Sequence, residues 1–82
     1  HEVRLRGKVM ALTLAEFRLL QALVSAPGRV FTRDQLLDRI TGGEAVIVDR
    51  NVDVHIRALR KALGKSRALI ETVRGLGYRL KG

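Results

Sequence analysis

The chain has no cysteine and no tryptophan, and only one proline, one tyrosine and two phenylalanines among its 82 residues. The absence of cysteine excludes disulfides and thiolate metal sites, and it is consistent with a cytoplasmic location. No apolar run approaches the roughly 20 residues of a membrane-spanning helix, and no secretory signal is visible. With His1 and His55 as the only histidines, and with acidic residues scattered along the chain, we predict neither a cofactor nor an enzyme.

Acidic residues are scarce, and the scarcity is concentrated in the second half of the chain. The formal net charge is +8 at pH 7. Residues 1–49 carry seven Lys or Arg and six Asp or Glu, whereas residues 50–82 carry nine basic residues against only Asp53 and Glu71. A nearly neutral part followed by a strongly basic part indicates a surface directed at a polyanion. A surface that only kept the protein soluble would not require this segregation.

The length allows one small domain over residues 1–82, which buries about 60–65% of its unfolded surface. The first residue is His1 rather than Met, so we expect the chain to be part of a longer protein. There is no internal repeat and no low-complexity segment. A catalytic domain together with a cofactor domain would not fit into this length.

Two helices are indicated by capping boxes, in which a threonine and a side chain three residues later bond to each other's backbone. The pairs are Thr13 with Glu16 and Thr32 with Gln35. They predict helices over residues 13–25 and 33–40. Alternating segments at the two ends predict hairpins, one over residues 3–11 that turns at "GK" and one over 69–81 around "GLG".

A third helix is predicted over residues 50–63, after a loop over 41–49, with Asp49 or Asn51 as its cap. Its apolar residues recur at i, i+4, i+7 and i+11, which places them in one stripe. That stripe consists of Val52, Ile56, Leu59 and Leu63, and the roughly opposite side carries Arg50, Val54, Arg57 and Lys61. The order of hairpin, three helices and hairpin predicts an α+β fold, the winged helix-turn-helix, with the last hairpin as the wing.

Three segments in this order carry a resemblance to a known family: "LTLAEFRLLQALVSAPGRVFTRDQLLDRI", "RNVDVHIRALRKAL" and "IETVRGLGYRL". They resemble the C-terminal DNA-binding (effector) domain of OmpR/PhoB-type two-component response regulators. The resemblance implies a bacterial transcription factor whose receiver domain, outside this chain, carries a phosphorylated aspartate. It also implies homodimers on tandem repeat sites in promoter DNA, and a contact of loop 41–49 with RNA polymerase.

The predicted DNA-binding residues fall into three groups. The third helix is expected to lie in the major groove of double-stranded DNA, where it displays Asn51, Val54, His55 and Ala58 to the bases. Phosphates are expected to be held by Arg50, Arg57, Arg60 and Lys61. In the wing, Arg74 beside Gly75 is placed to enter the minor groove, and the hydroxyls of Thr72 and Tyr78 can donate to phosphates. For Tyr78, packing on the hairpin is an equally good interpretation.

Two other functions remain open at this point. A winged helix can dock onto another protein, in which case the basic face would meet an acidic partner. Binding of structured RNA is disfavoured because stacking aromatic residues are nearly absent and both phenylalanines are predicted to be buried. Competition between a specific promoter fragment and random duplex separates DNA recognition from protein docking.

Overall fold

The computed structural model describes residues 1–5, 7–43 and 49–82. Three helices pack together, with one strand hairpin before the first helix and another after the last. The elements are β1 Glu2–Leu5, β2 Lys8–Ala11, α1 Leu14–Ser25, β3 Phe31–Thr32, α2 Arg33–Thr41, α3 Val52–Leu63, a 3₁₀ helix Gly64–Leu69, β4 Ile70–Val73 and β5 Gly77–Leu80. The predicted fold class, a winged helix-turn-helix, is confirmed.

The first two helices begin where the capping boxes predict. Thr13 Oγ1 accepts from the Glu16 backbone N–H at 3.2 Å, and Glu16 Oε1 accepts from the Thr13 N–H at 3.0 Å. The box of Thr32 and Gln35 has the same two bonds, at 3.1 and 3.0 Å. Helix α2 continues to Thr41, one residue beyond the prediction, and α3 begins at Val52, two residues after the predicted start. The delayed start of α3 follows from its cap, because Asn51 has extended backbone geometry.

The first hairpin turns one residue earlier than predicted. Leu5 pairs with Lys8, so Gly7 takes the second position of the two-residue turn instead of the first. Its φ of 78° lies in the left-handed region, which glycine adopts without a steric penalty. The predicted turn at "GK" is therefore wrong in register, although the hairpin itself is present.

The wing belongs to a three-stranded sheet with the order β3-β5-β4. Strand β3, which was not predicted from the sequence, pairs Phe31 with Tyr78 and Thr32 with Gly77. From the sequence, glycine at position 77 is explained by the turn of the "GLG" segment. The position of Gly77 in the sheet supplies a second reason for glycine. A Cβ at this position would overlap the carbonyl oxygen of Phe31. Glycine is required because two backbones come into close contact here.

The hydrophobic core lies between the three helices and the wing sheet. All four residues of the predicted stripe on α3 are buried in it, which confirms the face that anchors this helix. Burying each such side chain contributes about 1.5–3 kcal/mol. The other helices contribute Leu19, Ala22, Leu23, Leu36 and Ile40, and the strands and the segment before α1 contribute Met10, Leu12, Phe31, Ile70 and Tyr78.

A short 3₁₀ helix, also not predicted from the sequence, follows α3 directly. Gly64 ends α3, and its N–H donates to the carbonyls of Arg60 and Lys61. The 3₁₀ helix then leads into β4, and the N–H of Lys81 donates to the carbonyl of Leu69 at 2.7 Å. This bond extends the pairing of β4 with β5 by one residue, into the end of the 3₁₀ helix.

Candidate nucleic-acid interface

The face of α3 opposite its buried stripe is exposed. Val54 has 43% of its surface exposed although it is apolar, and Arg57 and Lys61 on the following turns are exposed as well. Arg50 and Asn51 are exposed just before the helix, whereas His55 and Ala58 are half-buried. The structure thus brings most of the predicted helix residues to one accessible surface. In the major groove, the methyl group of a thymine lies between the two phosphate backbones. An apolar side chain flanked by basic ones matches this arrangement.

The start of α3 is held by the side chains that precede and follow it. Asn51 Oδ1 accepts from the Asp53 N–H at 3.0 Å, and Asp49 Oδ1 accepts from the Asn51 N–H at 2.8 Å. His55 Nε2 donates to the Asp49 carbonyl at 2.7 Å. Both residues that the sequence offers as caps therefore act at this end. The amide nitrogen of Asn51 is not used by these bonds and can donate to a base or a phosphate.

Arg60 is turned toward the wing. Its Nη2 atom donates to the Ile70 carbonyl and to Thr72 Oγ1, each at 2.8 Å, and its guanidinium lies 5.7 Å from the centre of the Tyr78 ring. In this geometry the Arg60 side chain bonds α3 to β4, and a contact of Arg60 with a phosphate stays a prediction. Thr72 is exposed and accepts the bond from Arg60, so its own hydroxyl proton can still be donated.

Tyr78, Asp53 and Arg33 form a group that we call the Asp53 cluster. The Tyr78 hydroxyl donates to Asp53 Oδ1, and Arg33 Nε lies 2.8 Å from the same oxygen. Tyr78 is only 5% exposed. The hydroxyl proton is given to Asp53 here, which supports the packing interpretation of Tyr78, and its contact with a phosphate stays a prediction.

The Asp53 cluster also changes the acidity of its members. The hydrogen bond from Tyr78, and after it the bond from Arg33, lowers the pKa of the Asp53 carboxyl. Burial, reinforced by the bond to Asp53, raises the pKa of the Tyr78 hydroxyl. Asp53 is therefore a carboxylate at neutral pH, and it joins α2, α3 and β5. Sequence reasoning missed this cluster, and the only available signal was an isolated acid in a basic segment.

The turn of the wing presents a basic and an apolar side chain together. Arg74 is exposed and precedes Gly75, whose φ is 78°. Leu76, which was not singled out from the sequence, is 60% exposed at the same turn. The turn is closed by the Leu76 N–H, which donates to the Val73 carbonyl at 3.0 Å. An exposed turn that carries an arginine can approach a minor groove, whose negative potential attracts basic side chains.

Metal and membrane sites are not found in the described part of the chain, residues 1–5, 7–43 and 49–82. Within it, no three His, Cys, Asp or Glu side chains are grouped so that they could hold a metal ion. Within the same residues, no helix is both long and apolar enough to cross a membrane.

Comparison with known proteins identifies the family. The model of the family described as "Transcriptional regulatory protein, C terminal" matches residues 7–80. The chain belongs to this family. Its members of OmpR/PhoB type are the DNA-binding effector domains of response regulators, so the family is one of transcriptional regulators and not a class of enzymes.

Curated relatives of this effector domain are considerably longer. The phosphate regulon transcriptional regulatory protein PhoB of Rhizobium meliloti is 49% identical over 83 residues, which cover 99% of this chain and 37% of that protein. PhoB of Escherichia coli K12 is 43% identical over 81 residues, which cover 96% of this chain and 35% of that protein. The chain thus spans little more than a third of these relatives.

Solved structures share the fold of this effector domain. The DNA-binding domain of the response regulator AdeR, in complex with an intercistronic region, has a TM-score of 0.83 and 32% identity, covering 100% of this chain and 86% of that one. The RstA DNA-binding domain of Klebsiella pneumoniae, in complex with the RstA box, has a TM-score of 0.78 and 37% identity, covering 98% and 82%. The resemblance stated from the sequence is confirmed.

Proposed function

We propose that this effector domain binds double-stranded DNA sequence-specifically, with α3 in the major groove and the wing at the adjacent minor groove. The observation that carries the proposal is the two-sided character of α3. Its apolar stripe is fully used by the core, while Val54 and Arg57 point outward. The major groove of B-DNA is wide enough for a helix and presents a distinct pattern for each base pair.

The proposed base contacts come from the first half of α3 and its cap. We assign this role to Asn51, Val54, His55 and Ala58. Val54 suits the methyl group of a thymine because its exposed surface is apolar. Ala58 has no hydrogen-bonding group in its side chain, so this position contributes shape and leaves the hydrogen bonding to its neighbours.

The proposed phosphate contacts come from exposed cations around these residues. We assign Arg50, Arg57 and Lys61 to phosphates, together with the hydroxyl of Thr72. Arg60 and Tyr78 act by holding the wing against α3, since their polar groups are bonded inside the domain. Arg74, beside Gly75 in the turn, enters the minor groove.

The remaining parts of the proposal concern the longer protein. A receiver domain outside this chain would carry the phosphorylated aspartate of a two-component system and promote homodimers on tandem repeat sites in the bacterial cytoplasm. Loop 41–49 would contact RNA polymerase, although residues 44–48 lie outside the described residues. These statements depend on the family and not on a contact in this domain.

The experiment that tests DNA recognition is the selection of binding sites from a random duplex pool, followed by competition. The selected site is expected to displace a bound probe at a concentration about a thousandfold or more below that of a scrambled duplex, which is the lower end of the usual ratio of specific to non-specific binding. Equal competition by both duplexes would contradict sequence-specific binding. It would then favour the other function, docking onto an acidic protein through the same basic face.

A further inference from the structure

A cleft of about 340 Å³ lies where α3, the 3₁₀ helix and β5 meet. It is lined by Asp53, Ile56, Arg57, Arg60, Arg67 and Tyr78. Arg57 and Arg60 come from α3, whereas Arg67 comes from the 3₁₀ helix, outside both the recognition helix and the wing. Three arginines from two elements therefore line the same depression.

The electrostatics of this cleft favour an anion. Its single carboxylate, Asp53, already accepts from the Tyr78 hydroxyl and pairs with Arg33, which does not line the cleft. The positive charges of the three arginines are consequently in excess. Ile56 and Tyr78 are buried side chains and form an apolar part of the wall. Charge interactions at such a wall are screened less than in open water.

The position of the cleft indicates which anion it holds when DNA is bound. In a duplex, one sugar-phosphate strand separates each major groove from the adjacent minor groove. If α3 occupies the major groove and the wing reaches the minor groove, that strand must pass between them. The cleft is lined by residues of α3 and by Tyr78 of the wing, so a backbone phosphate is the anion expected to reach it.

We propose that Arg67 is an additional phosphate ligand, which holds one phosphodiester in this cleft together with Arg57. Arg60, bonded to the wing, adds its charge from the other side of the cleft. The inference rests on the proposed DNA binding and extends it to a residue outside the two elements that define a winged helix. A planar guanidinium is suited to this role because it can donate two parallel hydrogen bonds to phosphate oxygens.

Lys65 provides a matched control on the same 3₁₀ helix. It is exposed like Arg67, but it lines a different depression, with Leu5, Lys8 and Met10. The variants Arg67→Gln and Lys65→Gln remove the same formal charge two residues apart. Any loss that depends only on net charge will therefore be equal in both. A loss that depends on the cleft will appear only with Arg67→Gln.

The experiment measures the affinity of the wild-type domain and both variants for a selected duplex and a scrambled duplex between about 50 and 200 mM salt. Arg67→Gln is expected to weaken binding to both duplexes by roughly three- to tenfold and to reduce the log–log salt slope by about one. Lys65→Gln is expected to keep the wild-type slope. Equal slopes for the two variants, or a loss confined to the selected duplex, would overturn the assignment.

A second arm separates DNA phosphate from free phosphate. Inorganic phosphate is added to the domain without DNA at constant ionic strength, and the Arg67 side-chain resonances are followed by NMR. If Arg67 responds to inorganic phosphate while Arg67→Gln binds duplex like the wild type, the cleft is a free-anion site and the proposal fails. If the wild-type domain itself binds no duplex, the proposed DNA binding fails. If the wild type binds and Arg67→Gln binds with the same salt slope, only the assignment of Arg67 fails.

Discussion

At the residue scale, the basic face of α3 consists of two kinds of side chain. Arg57 and Lys61 are exposed and can reach a ligand, whereas Arg60 is bonded to Ile70 and Thr72. An arginine that is already hydrogen-bonded adds charge to the surface but is held in place by its partners. The net charge of a segment therefore overstates the number of its direct phosphate contacts.

Arg74→Ala tests the wing at this scale. We expect a loss of about 1–3 kcal/mol in binding free energy on A·T-rich flanks, where the minor groove is narrow and strongly negative. The loss should be smaller on G·C-rich flanks, and titrations with two duplexes that differ only in the flanks measure the difference. Lys81→Ala, at the exposed end of the wing, is the control and should show no dependence on the flanks. An equal loss on both duplexes for Arg74→Ala would assign Arg74 to the backbone alone.

Tyr78→Phe tests the Asp53 cluster. Removing the hydroxyl should lower the free energy of unfolding by about 1 kcal/mol at pH 7. It should also reduce the dependence of stability on acid. Because the folded state lowers the pKa of Asp53, its contribution is present above the unfolded pKa of about 3.9 and is lost as the pH falls through the folded value. Urea unfolding from pH 7 to 3 measures both effects.

The control for this pH series is Asp53→Asn, which cannot titrate at this position. The difference in stability between the wild type and Asp53→Asn should shrink toward low pH, and Tyr78→Phe should fall between the two proteins. If the three proteins lose stability in parallel with acid, Asp53 has no lowered pKa in the folded state, and its bonds to Tyr78 and Arg33 do not form in solution.

At the element scale, the wing depends on a close approach of strands. Gly77 lies in β5 opposite Thr32, and a Cβ there would meet the backbone of Phe31. Arg60 adds a second attachment, from α3 to β4. The strands of the wing are therefore packed against the core of the domain, whereas its turn is exposed. This attachment is what allows a short hairpin to keep a defined direction relative to α3.

Gly77→Ala tests this attachment. We expect the free energy of unfolding to fall by about 1–3 kcal/mol, because the backbones of β3 and β5 must separate to admit the methyl group. Gly75→Ala is the comparison, since Gly75 has a positive φ and a Cβ added there would have nothing within 4 Å. Its cost should be about 1 kcal/mol, from the backbone conformation alone. Denaturant unfolding of both variants checks the order, and a smaller effect at Gly77 would contradict the close approach.

At the scale of the whole molecule, the excess of positive charge determines how the domain meets DNA. The net charge of +8 is concentrated in the half of the chain that contains α3 and the wing. Such a surface attracts any duplex from a distance, while the contacts of α3 select among sequences. Affinity and specificity are thus carried by different residues of the same surface.

The salt dependence of binding tests this arrangement. We expect the logarithm of the association constant to fall with the logarithm of salt concentration at a slope on the order of −4 to −7, which corresponds to roughly five to eight phosphate contacts. Titration of the domain with the selected duplex at several salt concentrations gives the slope. A slope near zero would contradict the placement of these cations at the DNA surface.

Interactions between near neighbours were determined by the sequence itself. The two capping boxes join residues three apart, and the stripe on α3 repeats at helical spacing, so both can be read without knowing the fold. The three segments that resemble OmpR/PhoB-type domains added the order of the elements. These features predicted the three helices, the wing and the face of α3 that is left exposed.

Contacts between distant residues were decided only by the tertiary structure. Tyr78 and Asp53 are 25 residues apart, and Arg33 and Asp53 are 20 apart. No periodicity links them, because they meet where α2, α3 and β5 pack together. The two-residue strand β3 and the place of Arg67 in the cleft depend on the same packing. The sequence determined which surface is basic, and the packing of the core decided which of its cations and hydroxyls remain available to a ligand.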